Sequence, residues 1–224
     1  MRRLLFLAVP LFLIASSVVG QRTSLSREDF EASYFAADGL TKSFPRIHES
    51  ESKGSIGGRL KVRKWRWIYG APYTSSLRFE EIGSDGNRTF EMINIRESTY
   101  CGDGTSWRKV DGGACQFPAP WAVTQLSWMM KLGAKSEFTE EKMVRAGEAI
   151  IKYTEFANLE KRRLPSGAEA PAGSYESTFI IDSKGRFVRI EYKGFVSGSK
   201  EMTSSWIDTF KYDGKFTVEP PIQK

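Results

Sequence analysis

The chain has 224 residues, and its 33 Lys and Arg against 27 Asp and Glu give a formal net charge of +6. This small, dispersed basic excess is typical of a solvated surface and argues against a nucleic-acid partner. The length predicts one domain with a substantial core.

The first segment has the pattern of a secretory signal peptide. Arg2 and Arg3 precede a short apolar run at residues 4–14, and small residues follow. A membrane anchor is the alternative, but the run is shorter than the roughly 20 apolar residues of a bilayer span. No cysteine stands at the expected cleavage site. We therefore expect a cleaved, non-lipidated signal peptide at 1–20, a single domain at 21–224, and export to the periplasm or the extracellular space.

The next segment predicts a helix. Ser26 is a suitable N-cap, Phe30 and Tyr34 share one helical face, and Gly39 is a fitting end, so we expect a helix over 25–38. The polar stretch 46–55 that follows is predicted to be a loop.

Strand signals then dominate. Alternating residues at 58–70 place Trp65, Trp67 and Tyr69 on one face, and further strands are expected at 75–83 and 89–95. A hairpin is predicted at 97–110, around the Asp103-Gly104 turn. Glu80 and Glu81 are neighbours in a strand, so they point to opposite faces and cannot act on one bond.

The two cysteines, Cys101 and Cys115, allow one pairing. In an oxidising compartment a disulfide would close a loop of about 15 residues and stabilise the fold by about 3 kcal/mol. Free thiols, or a catalytic pair with His48, are the alternatives. We expect no metal site, because a metal would need two or more further ligands and His48 is the sole histidine.

The segment 115–133 changes to a helical period. Pro120 suits a first turn, Gly133 suits an end, and Trp121, Met129 and Met130 form part of a broad apolar surface. This helix is either packed on a core or a lid that adapts to apolar guests, a role for which methionine is well suited.

The remaining chain is predominantly β. A helix starting at Thr139 competes with a strand in the same region. Three strands are predicted at 175–182, 186–195 and 204–213, with Trp206, Phe210 and Tyr212 on one face of the last.

Together these elements predict an α+β fold, with eight or more antiparallel strands in one large twisted sheet and two or three helices on one face. The 6 Trp, 8 Tyr and 15 Phe either fill its core or line a groove for acyl chains. Phosphate-loop, dinucleotide and zinc-protease patterns are absent from the sequence, and it offers no convincing Ser–His–Asp set.

Four stretches resemble the LolA-like periplasmic lipoprotein carriers, a lipoprotein-sorting family. WRWIYGAP at 65–72 is similar to their strand that runs into a proline, and DGTSW at 103–107 is similar to their Asp-Gly-x-x-Trp hairpin. The segments 179–192 and 209–221 resemble their closing strands. The two cysteines are not part of that pattern.

The resemblance implies an incomplete antiparallel β-barrel whose concave side is covered by helices and receives lipid chains. It implies an apolar cavity and a lid formed by Trp65, Trp67, Tyr69, Trp107, Trp121, Met129, Met130, Trp206 and Phe210. It also implies a carrier or sensor that is not an enzyme and has no cofactor. Its partners would be lipid or lipoprotein acyl chains and an envelope membrane protein.

Two other functions stay open. The chain could be an envelope structural or protein-binding module with a fully packed core. It could also be a secreted hydrolase that uses carboxylates from different strands, which the sequence alone cannot locate.

Overall fold

The computed structural model describes residues 21–56, 59–70, 74–83, 86–103, 105–110, 115, 135–163, 169–170, 172–197 and 202–221. The predicted signal peptide and nearly all of the predicted second helix, with Trp121, Met129 and Met130, lie outside these ranges.

The described residues contain one helix and fourteen strands. The helix is α1 (Arg27–Lys42). The strands are β1 (Arg22–Leu25), β2 (Arg46–Ile56), β3 (Arg59–Gly70), β4 (Thr74–Gly83), β5 (Gly86–Ile95), β6 (Ser98–Gly102), β7 (Trp107–Val110), β8 (Lys135–Arg145), β9 (Glu148–Leu159), β10 (Arg162–Arg163), β11 (Glu169–Ala170), β12 (Gly173–Ile181), β13 (Phe187–Val196) and β14 (Met202–Lys211).

Twelve of the strands form one sheet in the order β1-β8-β9-β12-β13-β14-β2-β3-β4-β5-β6-β7, and β10 and β11 form a separate ribbon. Every neighbouring pair is antiparallel. In the described part of the chain β1 and β7 do not pair with each other, so the sheet is open. A sheet of this size twists and coils. The prediction of one large antiparallel sheet is confirmed, and its openness fits an incomplete barrel.

The helix begins where the sequence predicts. The Ser26 hydroxyl accepts a hydrogen bond from the Asp29 backbone N–H at 3.1 Å, which makes Ser26 the N-cap. The predicted end at Gly39 is wrong, because α1 continues to Lys42. The extra turn buries Thr41, whose hydroxyl accepts a hydrogen bond from the Phe187 N–H at 2.9 Å and so fixes the helix to β13.

One face of α1 packs on one half of the sheet. Phe30 lies at the centre, with ring centroids 4.9 Å from Phe138 and 5.1 Å from Phe179. We call this group the helix core; it comprises Phe30, Tyr34, Ala37, Phe138, Tyr153, Phe179, Ile181 and Phe187. Its strand residues belong to β8, β9, β12 and β13, so α1 covers that half of the sheet.

One sequence prediction is wrong in this region of the fold. The predicted loop at 46–55 is β2, which pairs with β14 on one side and β3 on the other. Its backbone groups are therefore bonded on both edges, and pairing outweighs the low strand propensity of its polar side chains.

Of the helix and the strand left open from Thr139, the structure shows the strand, β8. The described residues contain one helix, against the two or three expected. β8 joins β9 through Ala146 and Gly147, whose φ angles are +52° and +84°. Positive φ at both central residues is the requirement of a type I′ hairpin turn. The turn fixes β8 as a partner of β9, and Phe138 then reaches the helix core.

We predict that Phe30→Ala lowers the free energy of unfolding by about 3–5 kcal/mol, because a large side chain with 0% exposure leaves a cavity. Phe35→Ala, on the same helix but 55% exposed, should change it by less than about 0.5 kcal/mol. Urea unfolding of the two variants measures the difference. Equal losses would contradict the position of the helix core.

Candidate functional site

The strand registers place one continuous row of side chains across the sheet. Phe179 lies opposite Ile190, which lies opposite Asp208. Asp208 lies opposite Ser50, and Ser50 lies opposite Trp65. Directly paired residues of antiparallel strands point to the same face. Since Phe179 contacts α1, the whole row lies on the face that carries the helix, which we call the inner face.

The inner face beyond the helix core carries a second group of large side chains. Trp65 is at its centre, with ring centroids 4.9 Å from Trp206, 5.4 Å from Phe79 and 6.4 Å from Trp67. We call it the tryptophan cluster; it comprises Trp65, Trp67, Leu77, Phe79 and Trp206, with Tyr69, Phe90, Met92 and Tyr192 packed around it. Its core residues come from β3, β4 and β14.

The indoles meet because the strand between them has small side chains. Trp65 belongs to β3 and Trp206 to β14, and β2 runs between these two strands. On the inner face β2 presents Ser50 opposite Trp65 and Ser52 opposite Trp206. Serine leaves room for two indoles to lean over β2 and stack.

A buried polar pair lies where the helix core and the tryptophan cluster adjoin. His48 Nε2 is 2.9 Å from Asp208 Oδ1, and both side chains are more than nine-tenths buried. The imidazole is stacked between the rings of Trp67 at 4.6 Å and Phe210 at 4.4 Å. These contacts fix the ring in place, and the bond to Asp208 supplies a polar partner inside an aromatic layer.

The inner face also holds buried polar atoms without a partner. In the described part of the chain, every buried side-chain atom that lacks a hydrogen bond belongs to this face. They are Arg46 Nε, Ser50 Oγ, Trp65 Nε1, Glu155 Oε2, Ser177 Oγ and Trp206 Nε1. Each such atom costs about 1–3 kcal/mol relative to a satisfied one.

In Glu155, one carboxylate oxygen has hydrogen-bond partners and the other has none. Its Oε1 accepts hydrogen bonds from the Ser136 hydroxyl at 2.8 Å and the Tyr175 hydroxyl at 2.7 Å. Its Oε2 has no partner among the described residues, and neither has the hydroxyl of Ser177 directly opposite. Burial and the bond to Glu155 raise the pKa of Tyr175 well above its usual range.

Charged residues border the tryptophan cluster on the same face. Glu81 accepts a hydrogen bond from Arg63 Nε at 2.7 Å and one from Lys61 Nζ at 3.3 Å. The bond from Arg63 is the main reason that the pKa of Glu81 lies below its usual value. Glu80 points the other way and bonds to Arg78, as strand alternation predicts.

The predicted hairpin and disulfide are both present. β6 pairs with β7, and Cys101 is bonded to Cys115 with a Cα–Cα distance of 5.8 Å. In the turn, Asp103 Oδ1 accepts hydrogen bonds from the backbone N–H groups of Thr105 and Ser106, each at 2.9 Å. The Thr105 hydroxyl also donates to it, and these bonds lower the pKa of the Asp103 carboxyl.

The structure brings only some of the predicted lining residues together. Trp65, Trp67, Tyr69 and Trp206 lie in or against the tryptophan cluster. Phe210 packs at the edge of the helix core and reaches the cluster through His48.

Trp107 lies apart from that cluster, because its partner Gly102 is opposite Glu91 and Glu91 is opposite Arg78, which puts Trp107 on the outer face of the sheet. It is half-buried on β7, beside a cavity of about 240 Å³ that is also lined by Phe90 and the disulfide residue Cys101. The sequence did not point to Ser50, Asp208, Glu155 or Ser177, because small or isolated polar residues give no periodic signal.

Several chemistries find no support in this geometry. Both cysteines are in the disulfide, so the alternative of a catalytic pair with His48 is wrong. Within the described ranges, no three His, Cys, Asp or Glu side chains gather as metal ligands. The same ranges contain no helix with the length and apolar character of a membrane span.

The fold and the site define an α+β protein with one open antiparallel sheet and an aromatic inner face. No family model and no curated protein matches the sequence. Among solved structures the chain is similar to LprF from Mycobacterium bovis, with 10% identity over 89% of this chain and 99% of that chain, at a TM-score of 0.47. It is also similar to the Mycobacterium tuberculosis lipoprotein LppX, with 12% identity over 84% and 98% of the two chains, at a TM-score of 0.41. At these TM-scores neither likeness carries an argument about what this chain does.

We predict that Asp208→Ala lowers the free energy of unfolding by about 1–3 kcal/mol, because it leaves the buried His48 Nε2 without its partner. Asp213→Ala, at an exposed position two residues after the end of β14, should have little effect. Urea unfolding measures both. A loss for Asp208→Ala no larger than that for Asp213→Ala would mean that the pair does not stabilise the fold.

We predict a pH-dependent loss of stability for Glu81→Gln. The folded state lowers the pKa of Glu81 below 4.5, so its ion pairs stabilise the fold above that pH, and the contribution disappears as the pH falls through the folded-state pKa. The variant should be less stable than the wild type at neutral pH and should approach it in acid.

Glu80→Gln is the matched control. Its side chain is 35% exposed, against 12% for Glu81, and its ion pair with Arg78 is solvated. Unfolding curves at several pH values should show little difference for this control. A constant difference for Glu81→Gln at all pH values would contradict the assigned cause.

Proposed function

We propose that the chain is an exported carrier or sensor, and not an enzyme, that binds acyl chains of lipids or lipoproteins against the inner face of the sheet. The main support is the tryptophan cluster, which lies on the inner face beyond the strands that form the helix core. A dense group of aromatic rings on one wall of an open sheet suits apolar guests. The proposed domain is LolA-like and extends over 21–224.

Export is part of the proposal and has two supports. Residues 1–20 have the pattern of a signal peptide, and Cys101 and Cys115 form a disulfide, which persists in oxidising compartments. An envelope membrane protein would supply or receive the guest. No cofactor and no nucleic acid enters the proposal.

The energy of binding would come from removing methylenes from water, at about 0.8 kcal/mol for each one buried. The proposed lining on the inner face is Trp65, Trp67, Tyr69, Trp206 and Phe210. Trp107 is not part of it, because the strand registers place that residue on the opposite face. The predicted lid residues Trp121, Met129 and Met130 would cover the guest, and they lie outside the described residues.

A specific observation favours a second candidate. The five core residues of the tryptophan cluster are each less than 9% exposed, which suits a packed wall. The chain would then be an envelope structural or protein-binding module, with its function on the outer surface.

A carboxylate-dependent hydrolase is less well supported. On the inner face Asp208 is bonded to His48 and Glu81 to Arg63 and Lys61, so these two carboxylates are held by their own partners.

Displacement of a fluorescent fatty acid from the mature protein tests the proposal, and Ser52→Leu sharpens the test. Ser52 faces inward opposite Trp206, so leucine would occupy the space in which the two indoles stack over β2, and urea unfolding must first show that the variant is folded. We expect saturable binding by the wild type and at least a tenfold loss in the variant, equivalent to about 1.4 kcal/mol.

Lys53→Leu is the control, since Lys53 is the neighbouring residue on β2 and its exposed side chain points to the opposite face. It should bind like the wild type. Failure of the folded wild-type protein to bind any acyl probe would remove the carrier proposal and favour the structural module.

A further inference from the structure

We propose that the indole N–H groups of Trp65 and Trp206 donate hydrogen bonds to an ester carbonyl, so that the guest is an acyl ester with a neutral linkage. This inference rests on the proposed function and specifies the chemistry of its ligand.

The two indoles present donors that require an acceptor. The indole Nε1–H can only donate. Trp65 is 4% exposed and Trp206 is 7% exposed, and neither Nε1 has an acceptor among the described residues. Buried donors are satisfied in the great majority of native structures, so two of them in one cluster indicate an acceptor that the described residues do not supply.

The two indoles that carry these donors are in direct contact. The two rings are stacked with centroids 4.9 Å apart and planes inclined by 26°. Ser50 lies directly opposite Trp65 on the strand between the two indoles and is 4% exposed, and its hydroxyl also lacks a partner. An oxygen with two lone pairs, such as a carbonyl oxygen, can accept from two of these donors at once.

The charge beside these two indoles favours a neutral acceptor. Asp208 lies directly opposite Ser50 on β14, so a carboxylate or phosphate of a guest at this place would meet a carboxylate. The inner-face cations of β3, Lys61 and Arg63, are bonded to Glu81. An ester carbonyl combines acceptor strength with zero charge, and it is attached to the acyl chain that the tryptophan cluster would bury.

A matched pair of probes isolates the carbonyl. Palmitoyl lysophosphatidylcholine has an ester linkage, and hexadecyl lysophosphocholine has an ether in its place with the same head group and nearly the same chain. Below their critical micelle concentrations, the wild type should bind the ester about tenfold more tightly, the effect of one or two net hydrogen bonds.

Two sets of variants assign the preference to the indoles. Trp65→Phe/Trp206→Phe keeps aromatic rings and removes both N–H groups, so it should bind the ester and the ether equally. Trp67→Phe removes an indole from the same cluster that is not among the unsatisfied donors, so it should weaken both probes alike and keep the tenfold ratio.

NMR of the wild-type protein tests the same hydrogen bonds directly, even if the tryptophan variants do not fold. In protein labelled at tryptophan nitrogen, the indole N–H proton resonances of Trp65 and Trp206 should shift downfield with the ester and not with the ether.

The possible results separate the inference from the proposed function. If the wild type binds both probes with equal affinity and its indole resonances respond equally, the ester assignment is wrong while the carrier proposal stands. Loss of the preference in Trp67→Phe as well would also overturn the assignment. If neither probe binds the folded protein, both proposals fail.

Discussion

The arrangement of the inner face depends on the small side chains of one central strand. β2 lies between β14 and β3, and its inward residue Ser50 lies opposite Trp65 of β3 while Ser52 lies opposite Trp206 of β14. If β2 carried bulky residues there, Trp65 and Trp206 could not stack across it at 4.9 Å. The strand therefore sets the position of the indoles and also the position of their unsatisfied donors.

His48 and Asp208 connect the two apolar groups on that face. His48 stacks on Trp67 of the tryptophan cluster and on Phe210, which packs against the helix core. A hydrogen-bonded pair at this place has a defined geometry, because a buried imidazole without its partner would be costly. The inner face is thus one continuous aromatic wall with a fixed polar pair at the junction. A displacement in one of the two groups would change contacts in the other, because the rings of Trp67, His48 and Phe210 are stacked in succession.

Much of the fold follows from local sequence signals. Ser26 predicted the start of α1, the alternation at 58–70 placed Trp65 and Trp67 on one face, and the two cysteines allowed a single disulfide. The failures occur where pairing partners decide the structure. The polar segment 46–55 has no strand signal of its own, yet it receives ladder bonds on both edges. For the same reason the orphaned atoms were not predicted, since they depend on which side chains meet across strands far apart in sequence.

The unsatisfied groups bear on energetics as well as on recognition. Each buried polar atom without a partner costs about 1–3 kcal/mol, which is large beside a typical net stability of about 5–15 kcal/mol. Within the described residues, all of the buried side-chain atoms without a partner lie on the inner face, so their cost in folding free energy is concentrated there. Any guest that supplies the missing acceptors would offset part of that deficit and would bind the folded state alone. Hydrogen bonding and burial of methylenes would then act on the same equilibrium, so that occupancy of the inner face and stability of the sheet would be linked.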